Sequence, residues 1–328
     1  MTLSRKVTIR EVAQHANVSI GTVSRALKNQ NGLSDDTREE ILRAAQTLGY
    51  DTGNLRQTRI KRLGFFTWRM PDLLVNPFYS PVLHGVEDAC SEQEIVLSYT
   101  AFRPSDKVLE IIRRHEVDAL LCVSYFQPKL LEKIASLGVQ VLLVDHFHPS
   151  LTSVNIDNIG GAKKAVQHLL ELGRKRIAYV NGMNHHSIVE RARGFRQALF
   201  EAGMPADPSL EVNTDPHFDI AEVQKATEQL LALAVPPDAI FVFNDKSALV
   251  VQRVCIEAGF RVPQDIAIVG FDDIDAASHA RPSLSTVRVS KEELGRRAVQ
   301  MLVNREENSL VVPVELIVRG SSLAKKQK

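Results

Sequence analysis

The sequence predicts two fold classes in one chain. An N-terminal three-helix head contains a helix-turn-helix, and an α/β two-lobed body follows, built on doubly wound parallel sheets. Three observations predict this. Between Thr8 and Leu27, two short capped helices flank a tight turn. From Leu63 onward, short apolar runs alternate with amphipathic helices, in two successive series. The charge is also divided. The chain of 328 residues has a net charge of +1, yet residues 1–62 hold 11 Lys and Arg against 6 Asp and Glu, and the remainder holds 29 against 33. A basic head on a mildly acidic body fits a polyanion-binding module carried by a domain with another task.

In the head, Thr8 caps the first helix, and Glu11 three residues on completes a capping box. Ile9, Val12 and Ala13 give that helix one apolar side. Asn17 tolerates a left-handed turn, Val18 plugs it, and Ser19 caps a second helix of roughly two turns. Val23, Ala26 and Leu27 face inward, which leaves Ile20, Gly21, Thr22, Ser24 and Arg25 outside. That is the shape of a helix presented to a DNA major groove. Ser34 caps a third helix, with Ile41, Leu42, Ala45 and Leu48 inside and Gly49 at its end. Residues 51–62 show no apolar stripe and carry four basic side chains, so they read as a basic hinge.

In the body the strand candidates are 63–68, 95–99, 118–123, 139–144, 176–180, 239–243 and 266–270. Helix candidates lie between them at 80–93, 105–115, 128–137, 158–173, 189–203, 219–234 and 245–259. Continuous apolar strands alternating with helices mean parallel sheets covered on both faces. The two series break near 146–153. After 270 come short strands near 285–289 and 314–318 and a helix over 290–303, the pattern of a chain crossing back between lobes. The expected partition is a head over 1–50, a hinge over 51–62, a body over 63–320 and a basic tail over 321–328. The first lobe is expected to hold 63–148 and 279–304, and the second 149–278 and 305–320. Ligands of such sheets bind beyond the carboxyl ends of the strands, here a cleft between lobes.

Cys90, Cys122 and Cys255 stand far apart in apolar contexts and read as reduced core residues. No signal peptide precedes Thr8, and no apolar run approaches the ~18 residues of a membrane span. A cytoplasmic protein is expected. His146, His148, His185 and His186 fall in two loops, but without zinc-type spacing they do not make a metal site. No GxSxG, HExxH, GxxxxGK[ST] or post-strand GxGxxG is present, so an enzyme is not expected, and no cofactor is called for. A cleft hydrolase with an accessory head is the enzyme alternative. A transport-linked binding protein is a third reading, opposed by the head.

Several phrases carry a resemblance. They are Val-Thr-Ile-Arg-Glu-Val-Ala at 7–13, Val-Ser-Ile-Gly-Thr-Val-Ser-Arg-Ala-Leu at 18–27 and Ser-Asp-Asp-Thr-Arg-Glu-Glu-Ile at 34–41. Asn-Pro-Phe-Tyr at 76–79, Val-Asp-Ala-Leu-Leu at 117–121 and Val-Asn-Ile-Asp-Asn at 154–158 follow. The last are Phe-Asn-Asp-Lys-Ser-Ala at 243–248, Val-Pro-Gln-Asp-Ile-Ala-Ile-Val-Gly-Phe-Asp-Asp at 262–273 and Pro-Ser-Leu-Ser-Thr-Val at 282–287. In this order the chain resembles the lac-repressor (LacI/GalR) family of bacterial transcription regulators from about residue 7 to residue 320.

The resemblance implies a body of the periplasmic-binding-protein type. It also implies a homodimer on near-palindromic double-stranded operator DNA, switched by a small effector in the cleft. Ile20, Gly21 and Arg25 stand where the family reads base edges. Thr8, Ser19, Thr22, Ser24, Ser34 and Thr37 stand where it holds phosphates, although helix capping explains the same residues. Leu55 falls at the family's minor-groove wedge, with Ile60 as the alternative. The segment between Tyr50 and Leu55 is about one helical turn shorter than the family's usual hinge. Phe78, Tyr79, Asp145, Arg191, Phe218, Asn244 and Asp272 are the effector-site candidates. An Arg and an Asp facing one cleft suit vicinal hydroxyls and hence a sugar or sugar derivative. Stacking from Phe78, Tyr79 and Phe218 allows a purine or nucleoside instead, and Arg193 beside Arg191 an acidic or phosphorylated sugar. The tail carries Lys325, Lys326 and Lys328 but no heptads, so a dimer is expected, not a coiled-coil tetramer.

Overall fold

The computed structural model describes residues 7–27, 33–50, 60–68, 76–182, 185–204, 207–214 and 220–323. Two compact units divide the chain, one up to Ile60 and one from Lys61.

The first unit is a three-helix head: α1 (Ile9–His15), α2 (Ile20–Leu27) and α3 (Asp35–Leu48). Thr8 and Glu11 form the reciprocal capping box, with the Thr8 N–H donating to Glu11 Oε2 at 2.7 Å. Asn17 takes φ 51°, the left-handed turn its short polar side chain permits. Ser19 Oγ accepts from the Thr22 N–H at 3.0 Å, and Ser34 Oγ accepts from the Thr37 N–H at 3.3 Å. The core joins Val12, Ala13, Ala16, Val23, Ala26, Ile41, Ala44 and Ala45, with Val18, Leu27 and Tyr50 packed against it. Leu42 is not part of it. It is 45% exposed, and Ala44, next to Ala45, takes the inward place. Arg38 Nη1 donates to the Ala26 carbonyl at 3.1 Å, closing the end of α2 with a cation where the helix dipole favours one.

The second unit has two six-stranded sheets, with helices α4 (Tyr79–Glu92), α5 (Val108–His115), α6 (Pro128–Ala135), α7 (Asn158–Glu171), α8 (His186–Glu201), α9 (Ile220–Leu231), α10 (Asp245–Glu257), α11 (Asp275–His279) and α12 (Lys291–Asn304). The first contains β1 (Arg62–Trp68), β2 (Val96–Phe102), β3 (Ala119–Val123), β4 (Gln140–Val144), β5 (Ser153–Ile156) and β11 (Leu310–Val312), in the order β11-β5-β4-β3-β1-β2. The second contains β6 (Ile177–Asn181), β7 (Glu211–Asn213), β8 (Ala239–Val242), β9 (Ala267–Asp272), β10 (Ser285–Arg288) and β12 (Glu315–Ile317), in the order β12-β10-β9-β8-β6-β7. All pairings are parallel except that of β12 with β10. In each sheet the winding reverses beside the lobe's first strand, the topological switch of a doubly wound sheet. Every residue of β3, β8 and β9 is buried, as continuous apolar strands between helical layers require.

The sheets differ from the expected partition in three places. β5 pairs with β4, so residues up to Ile156 belong to the first lobe rather than the second. β10 pairs with β9 and so lies in the second lobe. β11 returns to the first lobe beside β5. The helix over Lys291–Asn304, α12, packs on α4 (Tyr79–Glu92) and against β4 and β5. That packing is close because Gly85 faces Glu292 and Gly295 faces Val82. A Cβ on either glycine would strike the opposing carbonyl. Cys90, Cys122 and Cys255 are buried free thiols, and burial pushes each up to about 12. Among the described residues no helix is long and apolar enough to cross a membrane.

Candidate functional site

On the head, α2 turns its exposed face outward through Ile20, Gly21 and Arg25. Among the described residues, Arg25 Nε donates to the Gly21 carbonyl over a long 3.4 Å. Thr22 and Ser24 are half-buried beside this face. The hydroxyls of Ser19 and Thr22 lie 2.7 Å apart, as do those of Ser34 and Thr37. Thr8, Ser19 and Ser34 are exposed caps, so capping already employs them. Leu55 lies outside the described residues. Ile60, the last residue of the first unit, is half-buried.

In the body, the candidates gather where strands end. Asn76 Oδ1 accepts from the N–H groups of Phe78 and Tyr79 at 2.9 and 3.0 Å, which fixes the start of α4 after the Asn-Pro step. Tyr79 is engaged through both its ring and its hydroxyl. Its ring packs edge-on against Phe78, and its hydroxyl donates to Asp145 Oδ2 at 2.7 Å. Burial, then the neighbouring Asp145 charge, raises this phenol well above its ordinary value. Asp145 follows β4 at φ 54°, a left-handed turn that aims its carboxylate across the sheet end.

From the second lobe comes α8 (His186–Glu201), which carries Arg191. Arg191 is 4% exposed. Its Nε donates to Asn158 Oδ1 at 2.9 Å and its Nη1 to the Phe243 carbonyl at 2.6 Å. The guanidinium lies 3.7 Å above the Phe271 ring and 3.2 Å from Asp272 Oδ1. Asp272 ends β9 at φ 112°, and Lys291 Nζ donates to its carbonyl at 2.6 Å. Burial raises the Asp272 carboxyl to about 6, opposed by Arg191 and Lys291 and reinforced by Asp145. Asp272 therefore feels the charge of Asp145 from the other lobe.

Asn244 is the N-cap of α10 (Asp245–Glu257), where its Oδ1 accepts from the Ser247 N–H at 2.8 Å. Its side-chain oxygen is thus already employed in capping. Phe218 lies outside the described residues. Arg193 is a solvated helix residue, 3.9 Å from Glu190 with its side chain 70% exposed, and adds no second guanidinium to the cleft.

Sequence reasoning missed Lys291, quoted Asn158 within a motif without an effector role, and set aside His146 and His185. The two histidines stand on opposite lobes with ring centroids 6.1 Å apart, and Phe147 stacks on His186 beside them at 5.3 Å. Both His146 and His185 are buried. Burial lowers His146 to about 4 against the pull of the Phe126 carbonyl, and lowers His185 as well. His148 serves its own loop, accepting from the Ser150 N–H. Among the described residues no group of three or more His, Cys, Asp or Glu is arranged to hold a metal ion. The signal for the pair was the presence of histidines in two loops at strand ends. What it lacked was their position relative to Asp145.

A helix-turn-helix and a two-lobed binding fold in one chain define a DNA-binding transcription regulator. Residues 8–52 match the family of bacterial regulatory proteins, lacI family, and residues 166–322 match a periplasmic binding protein-like domain. The chain is 32% identical to the HTH-type transcriptional regulator CelR of Thermobifida fusca, covering 96% of each chain. It is 31% identical to the HTH-type transcriptional repressor CytR of Escherichia coli (strain K12), covering 97% of this chain and 96% of that one. A solved transcriptional regulator CelR–cellobiose complex superposes with a TM-score of 0.74 at 32% identity, over 97% of this chain and 100% of that chain. The chain belongs to the lacI family of bacterial regulatory proteins.

Proposed function

We propose that this regulator acts in the cytoplasm as a homodimer on a near-palindromic operator, and that a sugar or sugar derivative in the body's cleft switches its DNA affinity. Ile20, Gly21 and Arg25 read base edges, since they are the exposed face of α2. Thr8, Ser19, Thr22, Ser24, Ser34 and Thr37 hold phosphates and so fix register. Leu55 enters the minor groove. The cleft binds its ligand without turning it over.

One observation carries the effector reading. Asp145 from one lobe and the Arg191–Asp272 pair from the other converge, buried, at the strand ends. Carboxylates and a guanidinium in one cleft hold vicinal hydroxyls in a fixed orientation. The related CelR, solved as a complex with cellobiose, supports it.

The test selects duplexes from random DNA with the full-length chain, then measures affinity with and without sugars. The expected result is a twofold-symmetric site whose affinity moves by about tenfold or more on adding a sugar. A purine or nucleoside acting in place of every sugar would reassign the effector class. An asymmetric or absent site would overturn the DNA reading.

A further inference from the structure

Four buried polar atoms of the cleft have no hydrogen-bond partner among the described residues: Asp145 Oδ1, Asp272 Oδ1, His146 Nδ1 and His185 Nε2. Asp272 Oδ1 touches Arg191 as an ion pair but not as an aligned hydrogen bond. Buried polar atoms are almost always paired, so four at one place mark groups kept for a ligand. Their surroundings fix what each offers. His146 Nε2 lies 3.0 Å from the Phe126 carbonyl, which only accepts, so Nε2 carries the proton and Nδ1 is left as an acceptor. His185 Nδ1 caps α8 by accepting from the Ser187 N–H at 3.3 Å, with the Ser187 hydroxyl at 2.6 Å as its second donor; in this arrangement the ring proton sits on Nε2, which is left as a donor. Burial keeps both rings neutral at pH 7.

These four atoms present three acceptors and one donor. The one cation beside them is already charge-balanced: Arg191 pairs with Asp272 and is bound through Nε and Nη1, which leaves Nη2 to donate to a ligand hydroxyl but no uncompensated charge for an anion. Asp145 has no cation at ion-pair distance among the described residues, and its neutral partner is the Tyr79 hydroxyl. A carboxylate or phosphate brings acceptors only, and would face two carboxylates and a lone pair. Sugar hydroxyls both donate and accept, and satisfy all four atoms.

We propose that His146 and His185 contact the effector, one from each lobe, and that with Asp145 and Asp272 they restrict the cleft to uncharged polyhydroxylated ligands and exclude their acidic and phosphorylated counterparts. The proposal rests on the sugar-effector reading and specifies its charge class.

The experiment is ligand-dependent melting of the full-length protein, followed by calorimetric titration of the compounds that raise Tm. One set is D-glucose, D-ribose and cellobiose. The second is glucuronate, glucose 6-phosphate and ribose 5-phosphate, and the third is uncharged nucleosides. The expected result is a rise in Tm with a neutral sugar and none with the anions. His146→Leu and His185→Leu should each weaken that ligand by about tenfold or more, the effect of leaving a buried polar partner unsatisfied. His146→Asn keeps an acceptor at the Nδ1 place and His185→Gln a donor at the Nε2 place. Both should bind within about threefold of the parent, whereas a merely structural role would lower the ligand-free Tm without this rescue. An anion stabilising as well as its neutral counterpart overturns the proposal, as do leucine variants that bind normally. Nucleosides alone binding, with the same histidine dependence, would remove the sugar reading and keep the neutral-ligand code. Silence from all three sets overturns both.

Discussion

The head and the cleft solve opposite problems with polar side chains. On the head, Thr8, Ser19 and Ser34 each satisfy a helix N-terminus locally, and Ile20 and Arg25 stand exposed over a core of small residues. In the cleft, Asp145, Asp272, His146 and His185 are buried, and each keeps an atom without a hydrogen-bond partner among the described residues. A surface that reads DNA is completed by local rules and waits only for phosphate and base edges. A sensing site withholds completion, because the groups that only a ligand can satisfy give the ligand differential affinity for the closed form.

The comparison breaks most visibly at Arg191. Arg191→Ala removes the ion pair to Asp272, two hydrogen bonds and the stacking over Phe271 at once. Breaking a buried pair from one side costs about 3–5 kcal/mol, because the surviving charge stays buried. Urea unfolding should show a loss of that size, against well under about 1 kcal/mol for Arg193→Ala on the exposed side of the same helix. Near-equal losses would mean that the pair is not held as described.

The head's counterpart is Arg25→Ala, which should leave folding almost unchanged because the side chain is exposed. Its effect belongs to recognition, at about 1–3 kcal/mol of discrimination against a wrong base pair. Binding to operator and to random duplex at one salt concentration separates the outcomes. A loss confined to operator fits base readout, and an equal loss on both would place Arg25 on phosphate.

A pH series sharpens the contrast inside the body. Burial, then Asp272, raises the Asp245 carboxyl to about 8, and burial raises Asp272 to about 6. The folded state thus holds protons that the unfolded chain releases near the ordinary aspartate value of about 4. Their contribution to stability is fully present below about pH 4 and is lost as pH rises through about 6 and 8. Asp245 accepts from Thr286 Oγ1 and the Ile274 N–H, and Asp245→Asn keeps the shape without the charge. From pH 6 to 8 the parent should lose stability relative to Asp245→Asn, at no more than about 1.4 kcal/mol per pH unit. The opposite slope would rule out a raised value for Asp245.

The same contrast governs what was legible in the sequence. The head's elements follow from neighbours within four residues, so the capping box, the Asn17 turn and the Ser34 cap could be read directly. The one slip, Leu42 for Ala44, is a choice between two adjacent faces of α3 that only packing decides. The body's longer strands were equally legible. β5, β7 and β11, at three or four residues, are too short to show a period, and assigning β5 and β11 to a lobe depends on pairing across the sheet. The cleft was reached through resemblance, not through local pattern. Asn158 meets Arg191 across 33 positions and Lys291 meets Asp272 across 19, and no spacing rule announces either. His146 and His185 were visible as residue types, but their meaning lies in the carbonyl and the N–H that fix their tautomers.

The smallest expected effect tests whether the head's caps also touch phosphate. Ser19 Oγ already accepts from the Thr22 N–H. Ser19→Ala removes that bond and should cost the head about 1 kcal/mol, whatever Ser19 does on DNA. Ser19→Asp separates the roles, because aspartate caps as well as serine and its charge suits a helix N-terminus. The Asp variant should melt like the parent. Were Ser19 only a cap, it should also bind operator like the parent. In the proposed phosphate contact the new carboxylate faces a phosphate oxygen, and operator affinity falls while stability holds. Parent-like affinity in Ser19→Asp would confine Ser19 to capping and leave the head's backbone grip to the remaining hydroxyls.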